Sequence, residues 1–369
     1  MIDTIALTLN QDQYKIFDHS RFRSTDYIGK NSFTKKVYNP DFNKEGYKPR
    51  ITLYNRFGTE QIRIEFSAPK ILFGNNFDEL DESDFDNLVA KLYNNLWEMK
   101  IRAYPDDLKK ANVSKIDYSK NFVLGNGVKT WQILNELSKV DLTRSSDIEE
   151  VKYRNKGHCL HLKHTNSLDF AVYDKWADLV KAKISDKRSI EKDNKLQLNL
   201  LDLIEDTNKL EIIRIEARLV DRQKIKDILK LFSFNDDLTF QGLFKKHIAR
   251  AVLGKYWHEI ADGLDIANIR DYEEIDLISL ILESDKMTAN QALRIASVIN
   301  IYQKGQVLQL KNLLSSHGYD RSFSELAKLI RTLDLPKNCK YKAILGIGQS
   351  IEEMNKTSLK NHPKLKFAM

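Results

Sequence analysis

The sequence has few cysteines and no long apolar run. Only Cys159 and Cys339 occur among its 369 residues, so it offers neither a disulfide framework nor a zinc-ligand spacing, as is typical of a reducing cytosol. No apolar stretch reaches the roughly 18 residues that a membrane span needs. The first residues lack the basic region and apolar run of a signal peptide. These absences predict a soluble, cytoplasmic protein with no membrane partner.

The charge balance is basic but moderate. Lys and Arg number 59 against 52 Asp and Glu, for a formal net charge of +7. This excess favours a polyanionic partner only modestly, and any basic surface must be local. The length is sufficient for two domains, each with its own core.

The apolar spacing changes along the chain. A period of two predicts strands in the first part, at residues 5–9, 50–54, 61–66, 113–119, 151–154, 158–162, 168–173 and 211–220. Helical spacing predicts helices at 83–101 and 128–140, and composition predicts another over 174–208. Beyond Asp221 the pattern is helical, which predicts an α+β fold in two domains, 1–235 with an antiparallel sheet and 236–369 entirely helical.

Capping signals mark helix starts in the second part. Thr288 with Gln291, and Ser322 with Glu325, have the spacing of capping boxes. The pair Leu335-Pro336 is expected to end the helix that Ser322 begins. From Cys339 onward the sequence suggests a loose, mildly basic ending.

Tyr173 lies where a predicted strand gives way to a charged helix, two positions before Lys175. A tyrosine with a pKa near 10 is a weak nucleophile. It gains reactivity towards a phosphodiester when a metal ion polarises the phosphate and a cation offsets the developing charge. We therefore predict Tyr173 as a nucleophile and Lys175 as a contact to the same phosphate. The alternative is ordinary half-buried packing.

Two predicted strands carry a carboxylate on a face that is otherwise basic. Strand alternation places Glu216 between Arg214 and Arg218, and Asp117 beside Lys115. Magnesium takes oxygen ligands, commonly one or two carboxylates. Such a face predicts a site for Mg²⁺ (or Mn²⁺) and DNA phosphates, with Asp117 and Glu216 as ligands. Surface cross-strand ion pairs are the alternative.

Glu65 is a further candidate ligand, on a strand face that it shares with Arg63. Three histidines in one run suggest another set of ligands, of which His161 and His164 are the more plausible. His158 and His164 would share one face of a regular strand, but the turn at Thr165 interrupts that register, so the carboxylates are preferred. Residues 346–348, Gly-Ile-Gly, lack the third glycine and the preceding strand of a phosphate-binding loop.

The order of several short motifs resembles the gene II replication initiators of filamentous phages. These motifs are Met1-Ile2-Asp3, Ser67 to Leu72 followed by Gly74-Asn75-Asn76, Ser114 to Asp117, Ala171 to Lys175, Ile213 to Leu219, Gly318 to Asp320 and Leu335 to Lys337. The resemblance runs from the first residue to beyond position 340. In this family the proteins nick and rejoin one strand of duplex DNA.

The resemblance implies an HUH-like endonuclease fold for residues 1–235. It implies that Tyr173 attacks the origin phosphate, leaving a 5′-phosphotyrosine and a 3′-hydroxyl primer for rolling-circle replication, and that a second transfer rejoins the displaced strand. Implied partners are origin DNA, both supercoiled duplex and single-stranded, and a host helicase and polymerase in the bacterial cytoplasm. Phosphate contacts are assigned to the basic residues Lys70, Lys115, Arg214 and Arg218.

Two departures from the family pattern matter. The paired-histidine motif is missing from its usual place, so carboxylates are expected to replace it, and Glu65 stands where other members carry a basic residue. The helical part, 236–369, resembles a region that some of these phages also make separately as a regulator. The alternatives are a mobilisation relaxase, with the same chemistry at a transfer origin, and a non-catalytic origin-binding repressor.

Overall fold

The computed structural model describes residues 1–24, 34–38, 47–56, 58–124, 127–138, 150–154, 158–165, 167–178, 211–267, 269–283, 287–304, 306–336 and 342–358. Within these ranges the fold is α+β, with one large antiparallel sheet and many helices. In the same ranges no helix combines the length and the apolar character that crossing a membrane requires.

The strands of the described ranges form two sheets. They are β1 Ile2–Asn10, β2 Lys15–Ile16, β3 Phe22–Ser24, β4 Thr34–Tyr38, β5 Arg50–Arg56, β6 Thr59–Ser67, β7 Ile101–Arg102, β8 Asn112–Val123, β9 Glu150–Arg154, β10 Cys159–Thr165, β11 Leu168–Asp174 and β12 Ile212–Leu219. The ten-stranded sheet has the order β3-β4-β5-β6-β1-β8-β12-β11-β10-β9, and β2 pairs with β7 in a separate ribbon. All the strands expected from the sequence are present.

Among the described residues, α-helices pack around the sheet and build the second part. They are α1 Ala68–Phe73, α2 Phe85–Glu98, α3 Pro105–Lys110, α4 Thr130–Ser138, α5 Arg222–Leu231, α6 Phe240–Leu243, α7 Lys246–Ala267, α8 Glu274–Leu282, α9 Ala289–Gln303, α10 Val307–Ser316, α11 Asp320–Arg331 and α12 Lys342–Glu353. The helix expected over 83–101 ends earlier, because Ile101 and Arg102 pair with β2. Of the helix expected over 174–208, residues 175–178 are helical and 179–208 lie outside the described residues.

The expected helix starts have different outcomes. Thr288 forms the predicted capping box with Gln291 at the start of α9. The box predicted at Ser322 is wrong, because α11 already begins at Asp320 and its N-cap, Tyr319, makes no side-chain capping bond. The loose ending expected after Cys339 is also wrong in part, because residues 342–353 form α12.

Strand alternation gives the large sheet two different faces. On one face Ile5, Leu7 and Leu9 of β1 join Ile62 and Ile64 of β6 in a buried apolar core. The apolar residues of α2 belong to the same core. Burial of each such side chain contributes about 1.5–3 kcal/mol of stability, so the register is strongly fixed. The opposite face is polar and carries the candidate site.

The described residues form two large apolar clusters and a small one, made of Cys159, Ala171 and Tyr173, on the polar face. The sheet's core includes residues of α5, α6, α7 and α12, as well as those of the first helices. A second cluster, with members between Ile266 and Leu335, joins α8, α9 and α11. The division after residue 235 stays a prediction, and the sheet's apolar contacts continue beyond that point into α7.

Candidate active site on the polar face of the sheet

The strand register brings Tyr173, Glu216 and Asp117 to the same face. Tyr173 of β11 lies opposite Arg214 of β12, and Ala171 lies opposite Glu216. On the other side of β12, Asp117 of β8 lies opposite Arg218. Because residues two apart share a face, the tyrosine and both carboxylates lie on three adjacent strands of one surface.

Tyr173 is held through its hydroxyl group. Its Oη donates a hydrogen bond to Glu216 Oε2 at 2.9 Å, and its side chain is buried, with a relative exposure of 8%. Burial, together with the negative charge of Glu216, raises the pKa of Tyr173 well above its usual value near 10. The phenol is therefore protonated in this arrangement, with its proton directed at a carboxylate.

Glu216 is ionised and doubly held. Arg218 donates from Nε to Oε1 and from Nη2 to Oε2, both at 3.0 Å. Burial acts to raise the pKa of Glu216, but the charge and hydrogen bonds of Arg218, with the charges of Arg214 and Lys175, hold it well below its usual range. Glu216 is thus an anion that already accepts the Tyr173 proton in a hydrogen bond.

Asp117 has the opposite character. Burial, opposed by the charge of Lys115 and reinforced by that of Glu216, raises the pKa of Asp117 to about 8. Its Oδ2 lies 3.5 Å from Lys115 Nζ, whereas its Oδ1 is buried and has no hydrogen-bond partner. Two neighbouring carboxylates in one buried site rarely both ionise, and here Asp117 is the one that keeps a proton near neutral pH.

Arg214 forms the base of the site. Its Nε donates to Asn121 Oδ1 at 2.8 Å, its Nη1 to Asp3 Oδ1 at 3.1 Å and its Nη2 to the Asn76 carbonyl oxygen at 2.8 Å. The side chain is fully buried. A contact with a DNA phosphate requires an exposed arginine, whereas Arg214 is buried. Its hydrogen bonds instead fix the strand opposite Tyr173.

Lys70 is also buried, in α1. Its Nζ lies 5.3 Å from the centroid of the Tyr47 ring. Its place, too, differs from the exposed position expected of a phosphate contact. Among the predicted basic contacts, Arg218 and Lys115 are the more accessible, with side-chain exposures of 34% and 18%.

Lys175 lies immediately after β11, in a helical turn. Its Nζ is 5.9 Å from the centroid of the Tyr173 ring and 5.7 Å from that of Phe77. Burial, helped by the positive charge of Arg214, lowers the pKa of Lys175 to about 7. Lys175 therefore changes charge near neutral pH, next to the predicted nucleophile.

Glu65 lies further along the same face and is engaged by cations. Lys115 Nζ is 3.0 Å from its Oε1, and Arg63 Nη2 is 3.4 Å from its Oε2. Although burial acts to raise the pKa of Glu65, these charges lower it. Lys115 thus links Glu65 to Asp117.

The sequence reasoning missed Asp169 as part of this surface. Arg218 Nη1 lies 3.5 Å from Asp169 Oδ2, and His161 Nε2 lies 2.8 Å from the same oxygen. Arg218 therefore has the carboxylates of Asp117, Asp169 and Glu216 around it. Asp169 has the same strand parity as Tyr173, and that signal was available. His161 lies on this face, whereas the His164 side chain lies outside the described residues.

The candidate ligand atoms are of the chemical type that suits magnesium. All are carboxylate oxygens, which Mg²⁺ prefers, and Asp117 Oδ1 is a buried oxygen without a partner. Both oxygens of Glu216 are occupied by Arg218 and Tyr173, so ligation by Glu216 needs Arg218 to move. Within the described ranges, no group of three or more His, Cys, Asp or Glu side chains is already arranged around a common metal position.

The strand register places Asp117, Tyr173 and Glu216 on one surface, and Asp3 lies beside it, bonded to Arg214. Comparison of the chain with protein-family models, with curated proteins and with solved structures gave no match.

Proposed function

We propose that the protein is a magnesium-dependent DNA strand transferase that nicks an origin through Tyr173 and starts rolling-circle replication, with an HUH-like arrangement of its sheet. The observation that supports this proposal most is the hydrogen bond from Tyr173 to Glu216, on a face that also carries Asp117 and Arg218. A nucleophile, a proton acceptor and cations for a phosphate thus lie together.

In the proposed reaction the Tyr173 oxygen attacks a phosphorus atom of one DNA strand. The phenolic proton leaves along the existing hydrogen bond to Glu216 and passes on to the departing 3′ oxygen, because Glu216, with its pKa held low by Arg218, does not keep it. The bond from phosphorus to the 3′ oxygen breaks, and that oxygen leaves as a 3′-hydroxyl after taking up a proton. The 5′-phosphate stays on Tyr173, and attack by a later 3′-hydroxyl reverses the step and rejoins a strand.

The cations divide into two groups. Arg218 and Lys115 are the ones a phosphate reaches from the surface, whereas Lys175 in its protonated form offsets charge beside the phenol. Arg214 positions Tyr173 from below through its bonds to Asp3 and Asn121. Asp117 would hold magnesium through its unpartnered buried oxygen, and Glu216 would join it where Arg218 moves away; the bound ion would polarise the phosphate.

The test is nicking of a supercoiled plasmid that carries a candidate origin, in magnesium. Tyr173→Phe should abolish nicking while origin binding persists. A matched control is Tyr118→Phe, because Tyr118 is an equally buried tyrosine on the opposite face of β8, bonded to the Leu243 carbonyl. That variant should lose some stability and keep nicking. Equal nicking by Tyr173→Phe and the parent would refute the proposed nucleophile.

The burial of Tyr173 favours a second candidate, a non-catalytic origin-binding repressor in which this tyrosine only packs and bonds. That protein would bind the origin in a salt-sensitive way and form no covalent adduct. A mobilisation relaxase would form the same adduct at a transfer origin. Trapping the adduct on labelled oligonucleotides from both kinds of origin separates all three.

A further inference from the structure

A second surface carries aromatic rings and cations away from the polar face. The ribbon of β2 and β7 continues at one end through a hydrogen bond from the Phe17 amide to the Lys100 carbonyl oxygen, 2.9 Å long. Ile16 and Ile101 point from it into the core. The side chains of the other ribbon face, together with one from the end of α2, form what we call the aromatic ribbon face: Lys15, Phe17, Trp97, Lys100, Arg102 and Tyr104.

The rings of this face are unusually open. Phe17, Trp97 and Tyr104 have relative exposures of 49%, 49% and 52%. Phe17 and Trp97 touch edge to face with centroids 5.8 Å apart, and Trp97 stacks on Tyr93 at 6.4 Å. Single exposed apolar residues are normal on a protein surface, but a contiguous set marks an interaction site.

Cations lie between these rings. The Lys15 Nζ is 5.4 Å from the Phe17 centroid, and the Arg102 guanidinium carbon is 5.6 Å from Phe17 and 5.1 Å from Tyr104. Residues 15–17 and 100–104 include no acid. The acids nearest to these segments in sequence are Asp12, Asp18, Glu98, Asp106 and Asp107. Of these, Asp18 accepts from Ser20 and Glu98 pairs with Lys48.

We propose that the aromatic ribbon face binds single-stranded nucleic acid. Such surfaces combine aromatic side chains, on which bases stack, with cations that follow the phosphates. An apolar peptide would leave the cations of this face without partners. A single strand supplies bases that stack on the aromatic side chains and phosphates that pair with the cations. The biological role of such binding rests on the proposed strand transfer, but binding at this face requires no cleavage.

The direct test is fluorescence anisotropy of a labelled oligothymidylate with the full chain, without magnesium. The double variant Phe17→Ala/Trp97→Ala should bind at least about tenfold more weakly, because both stacking rings are lost. The matched control is Trp131→Ala, because Trp131 is an equally exposed tryptophan, at 57%, on α4. Its affinity should stay within about twofold of the parent, and Trp97→Phe should retain most of the parent's affinity.

Two further measurements separate stacking from charge. Oligothymidylate should quench tryptophan fluorescence in the parent and in Trp131→Phe, and much less in Trp97→Phe. Replacing Lys15 and Arg102 by Gln should lower the slope of log affinity against log salt by about 0.7 for each cation removed. Both the quenching and the decrease in the salt slope should be smaller with a duplex of the same length.

The outcomes that overturn the inference are distinct from those that overturn strand transfer. No binding of oligothymidylate by the parent, or equal affinity in Phe17→Ala/Trp97→Ala, refutes a nucleic-acid role for this face. Altered self-association of that variant with unchanged affinity would assign the face to a protein contact instead. If Tyr173→Phe and the parent bind the strand equally but neither nicks a plasmid, only the proposed nicking fails.

Discussion

Arg218 holds Glu216 by two parallel hydrogen bonds, with Nε 3.0 Å from Oε1 and Nη2 3.0 Å from Oε2. This bidentate pair neutralises the carboxylate that accepts the Tyr173 proton. The same guanidinium lies 3.5 Å from Asp169 and next to Asp117 in register. Arg218 therefore pairs with the carboxylates of Glu216 and Asp169 and lies beside the protonated Asp117.

The first prediction concerns removal of this cation. Arg218→Ala should destabilise the fold by at least about 2 kcal/mol, since breaking a buried pair leaves an uncompensated charge, although the partial exposure of Arg218 lowers the cost. Magnesium should restore part of the loss in the variant and change the parent less, because the ion takes the arginine's place. Urea unfolding with and without magnesium measures both effects. No magnesium effect on the variant would argue against a metal at these carboxylates.

The second prediction concerns the proton on Asp117. Its folded-state pKa of about 8 exceeds the unfolded value near 4, so the folded state binds the extra proton between these two pH values. Stability should therefore fall as pH rises through this window. Asp117→Asn has no such proton, so its stability relative to the parent should increase by a few kcal/mol between pH 5 and pH 9.

Unfolding at a series of pH values checks this expectation. Asp106→Asn, at an exposed position in α3, is the control, and its difference from the parent should vary little with pH. A flat difference for Asp117→Asn would mean that Asp117 is ionised throughout. Metal affinity should also rise with pH up to about 8, because Asp117 must lose its proton to become a ligand.

The third prediction concerns Lys175. Its pKa of about 7 in the folded state lies below the unfolded value near 10.4, so the unfolded chain binds more protons between these values. The contribution of Lys175 to the parent's stability should therefore rise as pH increases from 7 to 10. Lys175→Met should be more stable than the parent at pH 6, and this advantage should shrink by pH 10. Under the proposed mechanism it should also nick more slowly.

Thermal unfolding of Lys175→Met at pH 6 and pH 10 measures the first effect. Lys109→Met, at a lysine in α3 that pairs with Asp86, serves for comparison and should not show the same pH trend. An unchanged advantage of Lys175→Met across this range would show that the lysine keeps its proton when buried.

The sequence was informative where local rules apply. Alternation along β8 and β12 placed Asp117 and Glu216 on the face opposite the apolar residues, and Tyr173 follows the same rule along β11. These are local consequences of strand geometry and need no knowledge of the strand order. The α+β class followed from the change of apolar period in the same way.

The remaining features depend on strand order and distant pairing. Arg218 meets Asp169 only because β11 and β12 are neighbours, although more than forty residues separate the two positions in the sequence. Arg214 bonds to Asp3, although 211 positions separate the two residues in the sequence. Local spacing predicts a helix at Ile101, but this residue belongs to a two-residue strand that pairs with residues 15–16. Local spacing contains no information on such contacts.

The central claim is tested most directly by mapping the covalent adduct. The protein would be incubated in magnesium with a labelled single-stranded origin oligonucleotide, digested, and analysed by mass spectrometry for a 5′-phosphotyrosyl peptide. The mechanism predicts one modified peptide, carrying the nucleotide on Tyr173 and missing in Tyr173→Phe. An adduct on another tyrosine, or nicked DNA without any adduct, would contradict it.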